Sequence, residues 1–149
     1  MLKGSLGAKL EDEGIEVIVL NKKGAFDVGV ISRIIKVIKK YHIDIVHTHL
    51  WGANFWGRIA AKITRVKVIV ATEHNVDIWK NWFYSLCDRW LSRKTGKIIA
   101  VSNSVKEFYT KRGIPQQKID VIYNGIDVNR FQSHKVTKPQ VKVGLGIEA

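Results

Sequence analysis

The sequence predicts an α/β, Rossmann-like three-layer domain built on a mostly parallel sheet. Short apolar runs recur with helical patterns between them. The run Ile98, Ile99, Ala100, Val101 is short and unalternating, as suits a strand buried on both faces, and polar residues gather just after the runs. The runs fall at 15–20, 43–48, 66–71, 97–101 and 119–123. Right-handed crossovers leave few other ways to arrange such a series.

A first helix is expected around 6–11. After the first run, Ile31, Ile34, Ile35 and Ile38 make the apolar stripe of a helix packed on the sheet, leaving Arg33, Lys36, Lys39 and Lys40 outward. Residues 53–63 place Phe55 or Trp56 with Ile59, Ala60 and Ile63 on one helical face. Over 77–91, Trp79, Trp82, Phe83, Leu86 and Trp90 recur at helical spacing, and Asp77 reads as the helix cap. Such a stripe reads as core first. The second reading for Trp79 and Trp82 is an acceptor groove or a lipid interface, where an amphipathic ring beside cations is favoured. After the fourth run, Ser104 and Glu107 have capping-box spacing, Val105, Phe108 and Tyr109 share one helical face, and Gly113 with Pro115 supplies the stop. Asn124-Gly125 closes the last run as a turn signal, since both residues tolerate positive φ.

The chain has 149 residues, 46% of them hydrophobic, enough for one core and hardly for two. Its single cysteine, Cys87, excludes an internal disulfide. In an aromatic-rich helical segment it reads as a packed thiol rather than a nucleophile, and the lack of a cysteine framework fits a reducing compartment. No apolar run reaches bilayer length, and the start MLKGSLGAKLEDEG is too charged for a signal peptide, so a cytoplasmic domain is expected. Lys and Arg number 25 against 13 Asp and Glu, a formal net charge of +12 that favours polyanionic surfaces. Solvated helix faces are one reading of the cations and an anionic membrane surface is the other. Nucleic acid is disfavoured, because no RNA-binding, helix-turn-helix or zinc-finger signature accompanies the charge.

Ligands of open parallel sheets bind beyond the carboxyl ends of the strands. Thr48 and His49 close the second run, residues 72–75 the third, Ser102 and Asn103 the fourth, and residues 124–127 the fifth. Together they would line one cleft. His47 and His49 lie two apart on a strand and, with His74, raise a zinc site. No Cys or carboxylate stands at ligand spacing, so no metal is expected, with His47 in the core and His49 on the rim.

Several of these segments also fall in a known order. DIVHTHL at 44–50, ATEHN at 71–75, then AVS, GIP and VIYNGID followed by Phe131 form a set that resembles the N-terminal domain of family 4 glycosyltransferases, retaining enzymes of the GT-B fold. The resemblance implies transfer of a hexose from a nucleotide diphosphate sugar to an acceptor, either a glycan or a lipid-linked glycan of cell-envelope polysaccharide synthesis. No cofactor or catalytic metal is implied, and relatives with lipid-linked acceptors suggest the inner face of the membrane. By resemblance His74 is the candidate catalytic residue, touching the transferred sugar. His49, Glu73, Asn75, Ser102, Asn103, Asn124, Gly125 and Asp127 are candidates for substrate contact. Arg33, Lys36, Lys39, Lys40, Trp79 and Trp82 are candidates for a membrane or acceptor surface. Residues 1–135 would be the acceptor-side domain without its first strand and glycine-rich turn. Residues 136–149 would be a linker and the start of a donor-binding domain, and the isolated chain is expected to be inactive. The alternative is a basic membrane-docking or partner-binding module without catalysis.

Overall fold

The computed structural model describes residues 4–24 and 26–129. In chain order the elements are α1 (Ser5–Asp12), α2 (Gly29–Lys40), β1 (Ile45–His49), α3 (Trp51–Ile63), β2 (Val68–Glu73), α4 (Trp82–Ser92), β3 (Lys97–Ala100), α5 (Asn103–Lys111), a 3-10 turn Gln116–Lys118 and β4 (Ile119–Val121). The expected linker at 136–149 and Phe131 lie outside the described residues.

The four strands pair in the order β1-β2-β3-β4, all parallel. Thr48 pairs with Ala71, Ala71 with Ile98 and Ile98 with Ile119, so these side chains share one face. On that face α5 contributes Val105 and Tyr109 to a cluster with Ala71, Ile98, Ala100, Ile114 and Ile119. A second cluster joins Ile38 of α2 to Ala60 and Ala61 of α3 and Ile69 of β2, flanked by Ile31, Ile34 and Ile35 as the helical stripe predicts. α3 approaches β1 closely at Gly57, where a Cβ would lie 2.6 Å from Thr48 Cγ2. The opposite sheet face is open at Ile45 (61% exposed) and Val68 (43%).

The expected strand at 15–20 is not one. Its backbone runs beside α2, along a groove lined by Glu16, Val17, Ile18, Val19, Lys36 and Lys40, and joins no ladder. Apolar composition gives a strand its tendency, but pairing makes it a strand, and β1 is the edge of this sheet.

Four helical details also differ. Asn81 caps α4, its side-chain oxygen accepting from the amides of Phe83 and Tyr84, so the helix begins after Asp77 rather than on it. Its aromatic stripe points outward, with Trp82, Phe83, Leu86 and Trp90 all exposed, because Asp88, Leu91 and Ser92 occupy the inner face. In α3 the buried face carries Asn54, Trp56 and Arg58 while Ile63 is exposed. Ser102 rather than Ser104 caps α5, its hydroxyl accepting from Val105 N at 3.2 Å. The expected stop holds: Gly113 adopts φ +87° and Ile114 N donates to Tyr109 O at 3.2 Å. Asn124 and Gly125 do not form a positive-φ turn, since the chain leaves β4 without reversing into an antiparallel partner.

Candidate functional site at the carboxyl edge of the sheet

β1 ends on His49, and Leu50, at φ +67°, turns the chain directly into α3. His74 follows the last residue of β2. The two strand ends are neighbours in the sheet, and this sets His49 Nδ1 3.1 Å from His74 Nε2. His47 stands one ladder step back, its Nε2 2.7 Å from Thr72 Oγ1 and its ring centroid 4.2 Å from that of His49. It was expected in the core but is exposed, because it alternates in step with Ile45 and His49 onto the open sheet face. Burial, then the neighbouring His47 and His74, hold the His49 imidazole below its ordinary pKa. An imidazole pair of this kind can donate and accept hydrogen bonds to hydroxyl groups.

The other predicted residues are distributed along the same edge. Asn103, at the start of α5, donates through Nδ2 to Tyr123 OH at 3.1 Å, tying the third and fourth strand ends together. Asn75, Asn124, Gly125 and Asp127 are exposed, and Asp127 Oδ1 accepts from Asn129 N. Ser102 spends its hydroxyl on the α5 cap. Among the described residues no group of three or more His, Cys, Asp or Glu is arranged to hold an ion.

Glu73 is not on the rim. It is 3% exposed, because it falls in step with Ile69 and Ala71 on the helix-covered face. There it joins a buried network that sequence reasoning missed. Lys80 Nζ, fully buried, lies 3.0 Å from Asp77 Oδ2, 3.0 Å from Asp88 Oδ2 and 2.8 Å from Tyr109 OH. Tyr109 OH in turn lies 2.9 Å from Glu73 Oε2 and 3.0 Å from Asp77 Oδ2. Arg58 reaches Asp88 Oδ1 at 3.0 Å and Asn54 O at 2.6 Å, and Asn54 Nδ2 donates to Thr72 O, directly before Glu73. Burial raises the pKa of Glu73, and burial together with the nearby carboxylates raises that of Tyr109. The signal for this network was Asp88, a lone carboxylate inside an otherwise aromatic helix. The network underpins the His74 end of β2 from below.

A cleft of about 470 Å³ opens where His47 and His49 meet Leu20, Val30, Ile34 and Trp56. Lys22 and Thr48 also line it. The candidate membrane cations on α2 are partly engaged: Arg33 pairs with Asp27, and Lys40 contacts Tyr41. Lys36 and Lys39 remain exposed.

A parallel sheet with convergent polar side chains beyond its carboxyl ends is the arrangement in which open α/β domains bind ligands. The chain belongs to Glycosyltransferase Family 4, whose pattern matches residues 5–130. It is 35% identical over 103 residues to the Escherichia coli UDP-Gal:alpha-D-GlcNAc-diphosphoundecaprenol alpha-1,3-galactosyltransferase, covering 64% of this chain and 27% of that enzyme. Among solved structures it resembles a glycosyltransferase from Rickettsia africae (27% identity, TM-score 0.71, 98% of this chain and 40% of that one). It also resembles Anabaena Alr3699/HepE in complex with UDP-glucose (20% identity, TM-score 0.75, 96% and 40%). The chain thus spans about a quarter of the curated relative and two fifths of these structures. Among the described residues no helix is long and apolar enough to cross a membrane.

Proposed function

We propose that this chain is the acceptor-side part of a retaining glycosyltransferase, one that moves a hexose from a nucleotide diphosphate sugar to a lipid-linked glycan. The observation that carries the reading is the His49–His74 pair at the carboxyl edge of the sheet, in a family of glycosyltransferases. Two imidazoles that share one hydrogen bond leave their outer nitrogens to meet sugar hydroxyls. Likeness to a galactosyltransferase acting on a diphosphoundecaprenol-linked sugar supports the lipid-linked acceptor, and the UDP-glucose complex of a structural relative supports the donor class. In this reading His74 touches the transferred sugar, while Asn103, Asn75 and the 124–127 segment contact acceptor or donor hydroxyls. The domain then spans residues 1–135 and works in the cytoplasm, at the inner face of the membrane.

The test is acceptor binding followed by NMR on the 149-residue chain. A short-chain N-acetylglucosaminyl diphosphate lipid should shift the His49, His74 and Asn103 resonances, and His74→Ala should weaken its binding about tenfold. Shifts confined to other regions, or equal binding by the His74 variant, would remove the reading.

A further inference from the structure

α4 is amphipathic in the reverse of the usual sense. Trp82, Phe83, Leu86 and Trp90 fall within roughly a 100° arc at 100° per residue, and that arc faces solvent, with Trp82 76% and Leu86 53% exposed. The preceding loop extends the surface with Ile78 at 81% and Trp79 at 54%. The polar residues a soluble helix would turn outward are turned inward instead: Asp88 is 4% exposed and held by Lys80 and Arg58.

The charge on this face is of one sign. Between Val76 and Lys106 the only carboxylates are Asp77 and Asp88, and both are buried in ion pairs with Lys80. Arg89, Arg93 and Lys94 are exposed. Arg89 and Arg93, one helical turn apart, flank the aromatic arc and, with Leu86, Cys87 and Trp90, line a groove of about 360 Å³. Lys62 of α3 places its ammonium 3.7 Å from the centroid of the Trp90 ring, adding a further cation at the same edge.

We infer that α4 and the 78–79 loop form a docking face for an anionic lipid surface, lying in the interfacial plane with the indole rings at headgroup level and the two arginines on lipid phosphates. Tryptophan, phenylalanine and arginine are enriched at protein interfaces as well, so the single sign of the charge is what favours an anionic lipid surface. A face of tryptophan, phenylalanine and leucine beside exposed cations, with both carboxylates of the 76–106 stretch buried, matches the chemistry of the lipid interface. The inference rests on the membrane-face part of the proposed function and moves its weight from the lysines of α2 to α4. It also brings the lipid surface to α4, the helix whose Asp88 belongs to the network beneath His74.

Vesicle flotation of the 149-residue chain tests it, using lipids that carry no sugar so that acceptor recognition plays no part. Vesicles with 30% phosphatidylglycerol should bind the chain at least tenfold more tightly than pure phosphatidylcholine, with a blue shift in tryptophan emission. Arg89→Glu/Arg93→Glu should abolish the preference for anionic lipid. Trp82→Ser/Phe83→Ser should lower binding at least tenfold even at low salt, and Lys36→Glu/Lys39→Glu much less. Circular dichroism of each variant confirms that it is folded. Failure to float, equal binding to neutral vesicles, loss through the α2 variant alone, or a concentration-dependent dimer broken by Trp82→Ser would each overturn the inference. If flotation fails while the glycolipid still shifts His49 and His74, only this inference falls. If flotation holds and those shifts are absent, only the transferase reading falls.

Discussion

Nδ1 of His49 lies 3.1 Å from Nε2 of His74, across the ends of two neighbouring parallel strands. One ring must donate and the other accept, so the tautomers of the two residues are fixed together. The charge of His74 is one cause of the lowered His49 pKa, after burial and His47. His74→Ala should therefore move the His49 midpoint upward in an NMR titration while leaving it below the ordinary value, since burial remains. The sign for stability follows. With its folded pKa depressed, His49 supports the fold above its unfolded pKa near 6.5 and the support is lost as pH falls through the lowered value. Urea midpoints for the parent chain should fall between pH 7.5 and pH 5, and less so for His49→Gln.

Glu73 responds to pH in the opposite direction. The buried network sets Glu73, Asp77 and Asp88 against Lys80 and Arg58, three carboxylates against two cations. Tyr109 has one hydroxyl hydrogen for two carboxylates within 3.0 Å. A proton on Glu73 balances the charge and lets Glu73 donate to Tyr109 while Tyr109 donates to Asp77. Because the folded pKa is raised, the stabilising contribution is fully present below the unfolded value of 4.5 and is lost as pH rises through the folded one. Glu73→Gln, which fixes the protonated pattern, should be more stable than the parent at pH 8 and gain nothing at pH 4. Equal stability of the two chains at pH 8 would show that folding does not raise the Glu73 pKa.

Gly57→Ala should destabilise the chain by about 1–3 kcal/mol through overpacking, since the new methyl meets Thr48 Cγ2 at 2.6 Å. Thr48→Ser removes the opposing methyl and should recover most of that loss in the double variant. Denaturant midpoints read both.

Two serines near the start of α5 separate cap from bystander. Ser102→Ala should cost about 1 kcal/mol, because Val105 N loses its acceptor, whereas Ser104→Ala should stay within about 0.5 kcal/mol. The reverse ranking would restore the capping box that Ser104 and Glu107 suggest.

The legible part of this fold was periodic. Ile31, Ile34, Ile35 and Ile38 marked the buried face of α2, which packs on α3 and Ile69, and Val105 with Tyr109 marked that of α5, which meets the sheet. What stayed hidden depends on partners. Nothing in residues 15–20 says whether a neighbouring strand exists to pair with them. Nothing in the α4 stripe says which side of the helix faces the rest of the domain, and that side is the one where Lys80 and Arg58 hold Asp88. The rim is readable as a line of polar strand ends, but the parity of Ile69 and Ala71 turns Glu73 inward, away from that line. His47 failed by the same test, being in step with the exposed Ile45 and His49.

The sheet order β1-β2-β3-β4 repeats the order of synthesis. No strand has to insert between two others already in place, so each crossover adds its strand to the free edge left by the last. The cluster of Ile38, Ala60, Ala61 and Ile69 is complete before Ala71, the first residue of the other cluster, is made. Assembly can therefore follow the ribosome, with the histidine pair joined as soon as β2 docks and the α5 half laid on afterwards. A chain stopped after Ala100 should already protect the β1–β2 amides from exchange.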